Sequence, residues 1–277
     1  MPVNPKGCPS SALFSCLLLS CLLSLISCAP VKKPEVADKP IPVPAPSVPN
    51  VYIEVNIPAM EMTVYEEGFP KFVKPIAIGS GVYPTPAQEA YIKKIEWNPW
   101  WYPPPSDWAK DDKPTPPGPG NPLGLVKMAL SDGILFHGTN KERTVGTPAS
   151  HGCMRMLNKD AVEVAWYLQN LFSAQTDPSL LESYAKNRKK TYVVQLDHPV
   201  PAGLIYKPVI LRGDSLMFFP DYYRKLTRKD AAIIEEILAS GANEGCIDRA
   251  RVKETADRWP KRGTEINVTH FLEESCR

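Results

Sequence analysis

From Val51 onward the chain alternates. In VYIEVNI (51–57) Val51, Ile53, Val55 and Ile57 fall on one side and polar or smaller residues on the other, the period of a half-buried strand. MEMTVYEEG and FVKPIAIG follow, and Glu66-Glu67-Gly68 reads as the hairpin turn between two strands. LGLVKMAL (123–130), GILFH (133–137) and TYVVQL (191–196) read as further strands. The period changes once, over roughly 159–172, where Ala161, Ala165, Leu168 and Phe172 share a helical face and Asn158 stands ready as N-cap. Beyond 199 the pattern weakens. PVILRGDSLMFFPDYY suggests two short strands around Gly213-Asp214, and Thr227-Arg-Lys-Asp230 resembles a capping box opening a helix that ends near Gly241. Ile233, Ile234, Ile237 and Leu238 form its apolar stripe, and a further helix is expected over about 246–258. Strands dominate, βαβ alternation is missing, and no segment repeats. The expected fold is therefore mainly β with some α, a β-sandwich followed by a small α/β extension.

Ahead of this body the pattern is different. Residues 12–28, ALFSCLLLSCLLSLISC, are apolar and uncharged, too short for a comfortable bilayer span of about 20 residues and well suited to a signal-peptide core. The stretch ends Leu25-Ile26-Ser27-Cys28, which resembles a bacterial lipobox, with Cys28 the residue that receives lipid. A short uncleaved anchor helix is the other reading, and either one places the body on a membrane. Seven of the 22 residues from 29 to 50 are proline. Such a segment samples extended polyproline II, and at its longest reaches about 70 Å. The expected division is a signal peptide (1–27), a proline-rich tether (28–50), a main domain (51–198) and a C-terminal extension (199–277).

Charge excludes little and supports little. With 32 basic and 30 acidic residues the net charge is +2, which makes no case for a nucleic-acid partner. Proline, at 31 of 277, is about double its usual share and implies long extended loops. The largest such loop covers 98–122, with Trp97, Trp100, Trp101, Tyr102 and Trp108 at its start. These aromatics either cap an edge of the core or line a cleft; Trp100, Trp101 and Tyr102 are the cleft candidates.

The stretch with chemical content is His137-Gly-Thr, then ten residues, then Ser150-His151-Gly152-Cys153-Met154-Arg155. Only a thiolate attacks, and a thiol at its ordinary pKa near 8.5 needs a partner to take its proton. His137, at a strand end 16 residues before Cys153, has enough chain to return beside it and act as that base. Gly152 permits a tight turn whose consecutive N–H groups can hold a tetrahedral oxyanion. The same residues also admit blander readings: a buried small hydrophobe, a structural histidine, or part of a zinc site that lacks a fourth ligand nearby.

HGTN (137–140) with SHGCMRM (150–156) resembles the YkuD-type L,D-transpeptidase signature. Tyr83-Pro-Thr-Pro86, Asn98-Pro-Trp-Trp-Tyr-Pro-Pro-Pro105 and Gly118-Pro-Gly-Asn-Pro-Leu-Gly124 are similar to further segments of that family in the same order. The likeness runs over about 51–198 and then fades. One departure is YPTPAQ, where the family more often has glycine after the Thr-containing tripeptide, and this leaves the loop around Thr85 open.

The resemblance implies that Cys153 is the nucleophile and His137 the base, with the Gly138 carbonyl orienting the imidazole. His151, Gly152 and Cys153 would supply oxyanion N–H groups, Ser150 would position the turn, and Arg155 would shape the site. It further implies action on tetrapeptide stems of peptidoglycan, release of D-alanine, a thioester intermediate, and transfer to an amine of a second stem or of an envelope protein. No metal or cofactor is called for. A hydrolase using water as acceptor, a wall-binding module without turnover, and a zinc protein are the competing expectations. Cysteine usage fits export to a bacterial envelope, with Ala29 after Cys28 favouring an outer membrane facing the periplasm. Cys8, Cys16 and Cys21 would leave with the signal, and Cys246 would pair with Cys276, leaving Cys153 free.

Overall fold

The computed structural model describes residues 48–130 and 133–276. The expected signal peptide, the lipidation site Cys28 and nearly all of the tether lie outside the described residues. Three strands open the body: β1 (Val51–Asn56), β2 (Glu61–Glu66) and β3 (Phe69–Gly79). β2 and β3 form a hairpin with Glu66 opposite Phe69, and the two loop residues, Glu67 and Gly68, both have positive φ, as a two-residue hairpin loop requires. Then come β4 (Gln88–Trp97), β5 (Val126–Ala129), β6 (Leu135–His137), β7 (Pro148–Ser150) and β8 (Met154–Met156). Helices α1 (Asn158–Phe172) and α2 (Pro178–Lys186) precede the long β9 (Tyr192–Ile205).

These strands make one sheet in the order β2-β1-β9-β4-β5-β6-β8-β3-β7, and β2 also pairs with β3. The second pairing closes the sheet on itself, with β7 appended beside β3. The fold is mainly β, as expected, but the pairing forms a closed, barrel-like sheet where two stacked layers were anticipated. Closure depends on β1 lying parallel to β9 (Ile53 opposite Ala202) and on β6 lying parallel to β8. Both contacts join segments whose local patterns say nothing about each other. Inward positions such as Ile53, Met62, Ile76, Ile92, Phe136, Met154 and Val194 are fully buried, and α1 seals one flank with Ala161, Val164, Ala165 and Leu168.

Two strands break the simple period of two. β4 buries Ala90 and Ile92, then Ile95 and Trp97, because an irregularity near Ile92–Lys94 shifts its register on β9 and breaks the period of two. β9 continues past Leu196 through Pro199 and Pro201 to Ile205, so the expected boundary at 198 falls within a strand of the closed sheet.

The remainder builds a second, smaller core. β10 (Val209–Arg212), β11 (Ser215–Phe218) and β12 (Thr264–Asn267) form an antiparallel sheet packed by α3 (Lys229–Ala239) and α4 (Arg249–Asp257) around Leu216, Phe218, Ile233, Ile237, Val252 and Phe271. The expected capping box is not formed: Arg228 precedes α3 without a side-chain cap. Leu238, assigned to the apolar stripe, is exposed, while Glu236 is buried and binds both Lys207 and the Leu211 N–H. Cys246 and Cys276 form a disulfide, and Cys153 is free.

Candidate active site

The site sits where β5, β6 and β8 run side by side. His137 on β6 has Lys127 of β5 directly opposite on one side and Arg155 of β8 on the other. Phe136 and Met154, also opposite each other, point into the core. Side chains alternate along a strand, so His137 and Arg155 face the other way. Cys153, one step before Met154, emerges on that same outer face. Cys153, His137 and Arg155 all line one cleft of about 560 Å³.

His137 is 4% exposed. Its Nδ1 lies 2.5 Å from the Gly138 carbonyl oxygen. A carbonyl only accepts, so Nδ1 carries the hydrogen and Nε2 keeps its lone pair. Burial pulls the imidazole pKa from 6.5 to about 4, the Gly138 hydrogen bond opposes this, and the charges on Arg155 and Lys127 add to it. Burial also pushes the Cys153 thiol up, with the Leu135 N–H and Arg155 acting in the opposite sense. The resting pair is therefore a neutral imidazole and a neutral thiol.

Three further side chains hold these groups in place. Ser150 Oγ donates to the Cys153 carbonyl at 2.5 Å and accepts the Gly152 N–H at 3.1 Å, which knits the turn and commits one of the N–H groups expected to serve an oxyanion. Thr85, fully buried, donates to the Gly152 carbonyl and accepts the Gly79 N–H, each at 2.8 Å. The loop that YPTPAQ left open is thus tied directly beneath Cys153. Asn158 does not cap α1. Its Oδ1 accepts from Leu125 N–H and its Nδ2 donates to the Thr139 carbonyl, while Glu142 takes the Asn158 N–H at the helix start. This clamp leaves no room for side chains at Gly124 and Gly138, where an added Cβ would meet Asn158 Oδ1 at 2.2 and 2.3 Å. Gly152, at φ +109, occupies backbone space that only glycine enters freely.

The aromatic loop divides between its two expected roles. Trp97 enters the core, stacked on Tyr184 and donating to Gln169 at 2.7 Å. Trp100, Trp101 and Tyr102 line the cleft together with Trp108. His151 is exposed, its ring stacked on Trp108 at 3.9 Å with Tyr83 at 4.8 Å. Arg155 joins none of the ion pairs among the described residues; its contact is a long one, 3.4 Å, to Thr144 Oγ1. No three His, Cys, Asp or Glu side chains among the described residues gather as a metal-binding group.

Lys127, Thr85 and Asn158 were not singled out from the sequence as site residues, whereas Trp108 stood among the loop aromatics read as either core caps or cleft lining. Lys127 had a signal, as the polar position between buried Val126 and Met128 in a strand beside the histidine. The links made by Thr85 and Asn158 span 67 and 19 residues and leave no local trace.

A closed β-sheet domain with a buried imidazole on one strand and a free thiol in the turn before its neighbour, facing an aromatic cleft, defines a class of thiol–imidazole sites. Within that class the chain belongs to the YkuD family, the L,D-transpeptidase catalytic domain, whose family model matches residues 50–268. The match includes the segment beyond 198, where the motif likeness had faded. Among relatives, YkuD of Bacillus subtilis (strain 168), named as an L,D-transpeptidase, is 31% identical over 131 residues, covering 45% of this chain and 68% of that one. An L,D-transpeptidase by name from the ATP synthase subunits region of Fuscovulum blasticum is 42% identical over 76 residues, 26% of this chain and 40% of that one. ErfK/SrfK of Salmonella typhimurium (strain LT2), likewise named, is 32% identical over 117 residues, 39% of this chain and 38% of that one. The matched part spans less than half of the last two.

Proposed function

We propose that this protein is a cysteine-dependent L,D-transpeptidase acting on tetrapeptide stems of peptidoglycan. The observation that carries the reading is the placement of His137 on β6 and of Cys153 immediately before the neighbouring β8, both lining one cleft, with Nε2 of the imidazole left as an acceptor. A thiol proton passes to His137 Nε2 as Sγ attacks the acyl carbonyl of the third stem residue. The tetrahedral oxyanion is held by backbone N–H groups of the His151–Cys153 turn, Cys153 N–H foremost because Gly152 N–H is engaged by Ser150. As the C–N bond breaks, the imidazolium proton goes to the departing D-alanine amine, leaving a thioester. An acceptor amine then attacks, gives its proton to His137, and expels the thiol, which takes that proton back.

The neutral resting pair suits this sequence, since charge separates only as the bond to sulfur forms. The Trp100–Tyr102 wall offers apolar surface to the stem, and Arg155, without a carboxylate partner among the described residues, is available to a substrate carboxylate. The acceptor is a second stem or an envelope protein amine. We place the protein at the bacterial cell envelope, lipid-anchored through Cys28 and facing the periplasm from the outer membrane, on the pattern of residues 12–50.

Incubation of the purified protein with a disaccharide tetrapeptide, with products followed by mass spectrometry, tests the reading. Cross-linked dimers with free D-alanine, both lost in Cys153→Ala, are expected. D-alanine with tripeptide alone would make water the acceptor, and the absence of any product from folded protein would overturn the enzyme reading.

A further inference from the structure

The segment beyond the closed sheet reaches back into the site through one hydroxyl. Tyr223 O–H donates to the Gly79 carbonyl at 2.7 Å, and its oxygen accepts the Thr85 N–H at 3.2 Å. Thr85 in turn accepts the Gly79 N–H and donates to the Gly152 carbonyl. Both backbone groups of Gly79, and both polar hydrogens of Thr85, are thereby engaged in one network that ends on the residue before Cys153. The following residue, Ser80, donates its N–H to the Ser150 carbonyl at 2.9 Å, so the same backbone also grips the start of the turn. An added Cβ at Gly79 would lie 2.0 Å from the Tyr83 carbonyl oxygen, which shows how closely the loop is drawn onto the strand.

Tyr223 is itself fixed. Its N–H donates to Tyr206 Oη at 2.8 Å, Tyr206 donates to Asp221 at 2.7 Å, and the two tyrosine rings stack at 5.5 Å. The carboxylate of Asp221 also accepts the N–H groups of Lys225 and Leu226. A rigid knot in the C-terminal segment therefore presents one hydroxyl to the base of the Cys153 turn.

The consequence for chemistry follows from peptide geometry. In a planar trans peptide the carbonyl oxygen and the next N–H point in opposite directions. Pinning the Gly152 carbonyl on Thr85 therefore sets the direction of Cys153 N–H, the foremost oxyanion donor in the proposed reaction.

We propose that Tyr223 is a positioning residue for the Cys153 turn, acting through Thr85 to fix the Gly152–Cys153 peptide, so that one hydroxyl from beyond the closed sheet sets the geometry of the site. The link to rate rests on the transpeptidase reading given above; the link to turn geometry does not.

The test compares the full chain with Tyr223→Phe and with Ile237→Ala, which opens the second core without touching the network. For Tyr223→Phe the acylation rate by a tetrapeptide stem falls about tenfold through kcat with KM held. Alkylation of Cys153 by iodoacetamide, which needs no oxyanion donor, stays within about twofold of the parent, and amide exchange across 148–156 speeds up. Ile237→Ala lowers the melting temperature but leaves acylation and exchange across 148–156 at parental values. Parental acylation and exchange in Tyr223→Phe would overturn the proposal, as would equal losses in both variants, which would make the segment a brace alone. If the parent itself fails to acylate, the transpeptidase reading fails, and amide exchange still decides whether Tyr223 holds the turn.

Discussion

Burying His137 as a neutral imidazole ties the stability of the fold to pH. Its folded pKa is about 4 against 6.5 when free. Between those values the unfolded chain binds a proton that the folded chain refuses, so stability is complete above pH 6.5 and drains away as pH falls toward 4. At about 1.4 kcal/mol per unit, the loss attributable to this one ring is roughly 3 kcal/mol. The perturbation that isolates it is His137→Asn, whose amide N–H stands near Nδ1 and can still donate to the Gly138 carbonyl but does not titrate. Urea unfolding of both proteins at half-unit steps from pH 7.5 to 4 gives two curves. Carboxylates and the exposed His151 contribute to both and cancel in the difference. The parent should lose roughly 3 kcal/mol more than the variant across the window, equivalent to roughly 6–12 °C in melting temperature for a domain of this size. Parallel curves would mean that His137 titrates alike in the folded and unfolded chains and that its burial imposes no pH dependence.

The thiol gives the complementary result: alkylation of Cys153 by iodoacetamide should go on climbing with pH above the range where an ordinary thiol has ionised, and a plateau below pH 7 would reveal a preformed thiolate–imidazolium pair instead. Gly138→Ala drives a methyl group to 2.3 Å from Asn158 Oδ1 and should cost about 1–3 kcal/mol by denaturant unfolding while cutting acylation at least about tenfold; parental stability would show that the clamp yields. Asn158→Ala removes hydrogen bonds to Leu125 N–H and the Thr139 carbonyl and should cost about 2 kcal/mol, with no measurable change if water replaces both.

What the sequence disclosed and what it withheld follow from range. The Cys153 turn was legible because its parts are contiguous, and His137 because it closes a short apolar run. The β2–β3 hairpin was legible from alternation and a glycine turn. β4 was hidden by the irregularity that splits its buried residues into two phases, and the second half of β9 by Pro199 and Pro201, which argue against a strand until β1 and β4 are seen on either side. α2 went unread although Asp177, which caps it, and Pro178 at its first turn carry a start signal. Asn158 looked like a cap because helix starts favour it, but tertiary partners in the His137 loop outcompeted the helix end. Closure of the sheet and the Tyr223–Thr85 contact, 138 residues apart in the chain, arise only once distant segments meet.

The proposed reaction turns on Cys153 carrying the acyl group. Intact-mass spectrometry of the parent protein, quenched in acid within seconds of mixing with a tetrapeptide stem, tests it most directly. The expected result is an added mass equal to the stem less D-alanine, mapped to the peptide containing Cys153, released by hydroxylamine and missing from Cys153→Ala. Stem turnover that persists in Cys153→Ala, or an adduct mapped elsewhere, would contradict it.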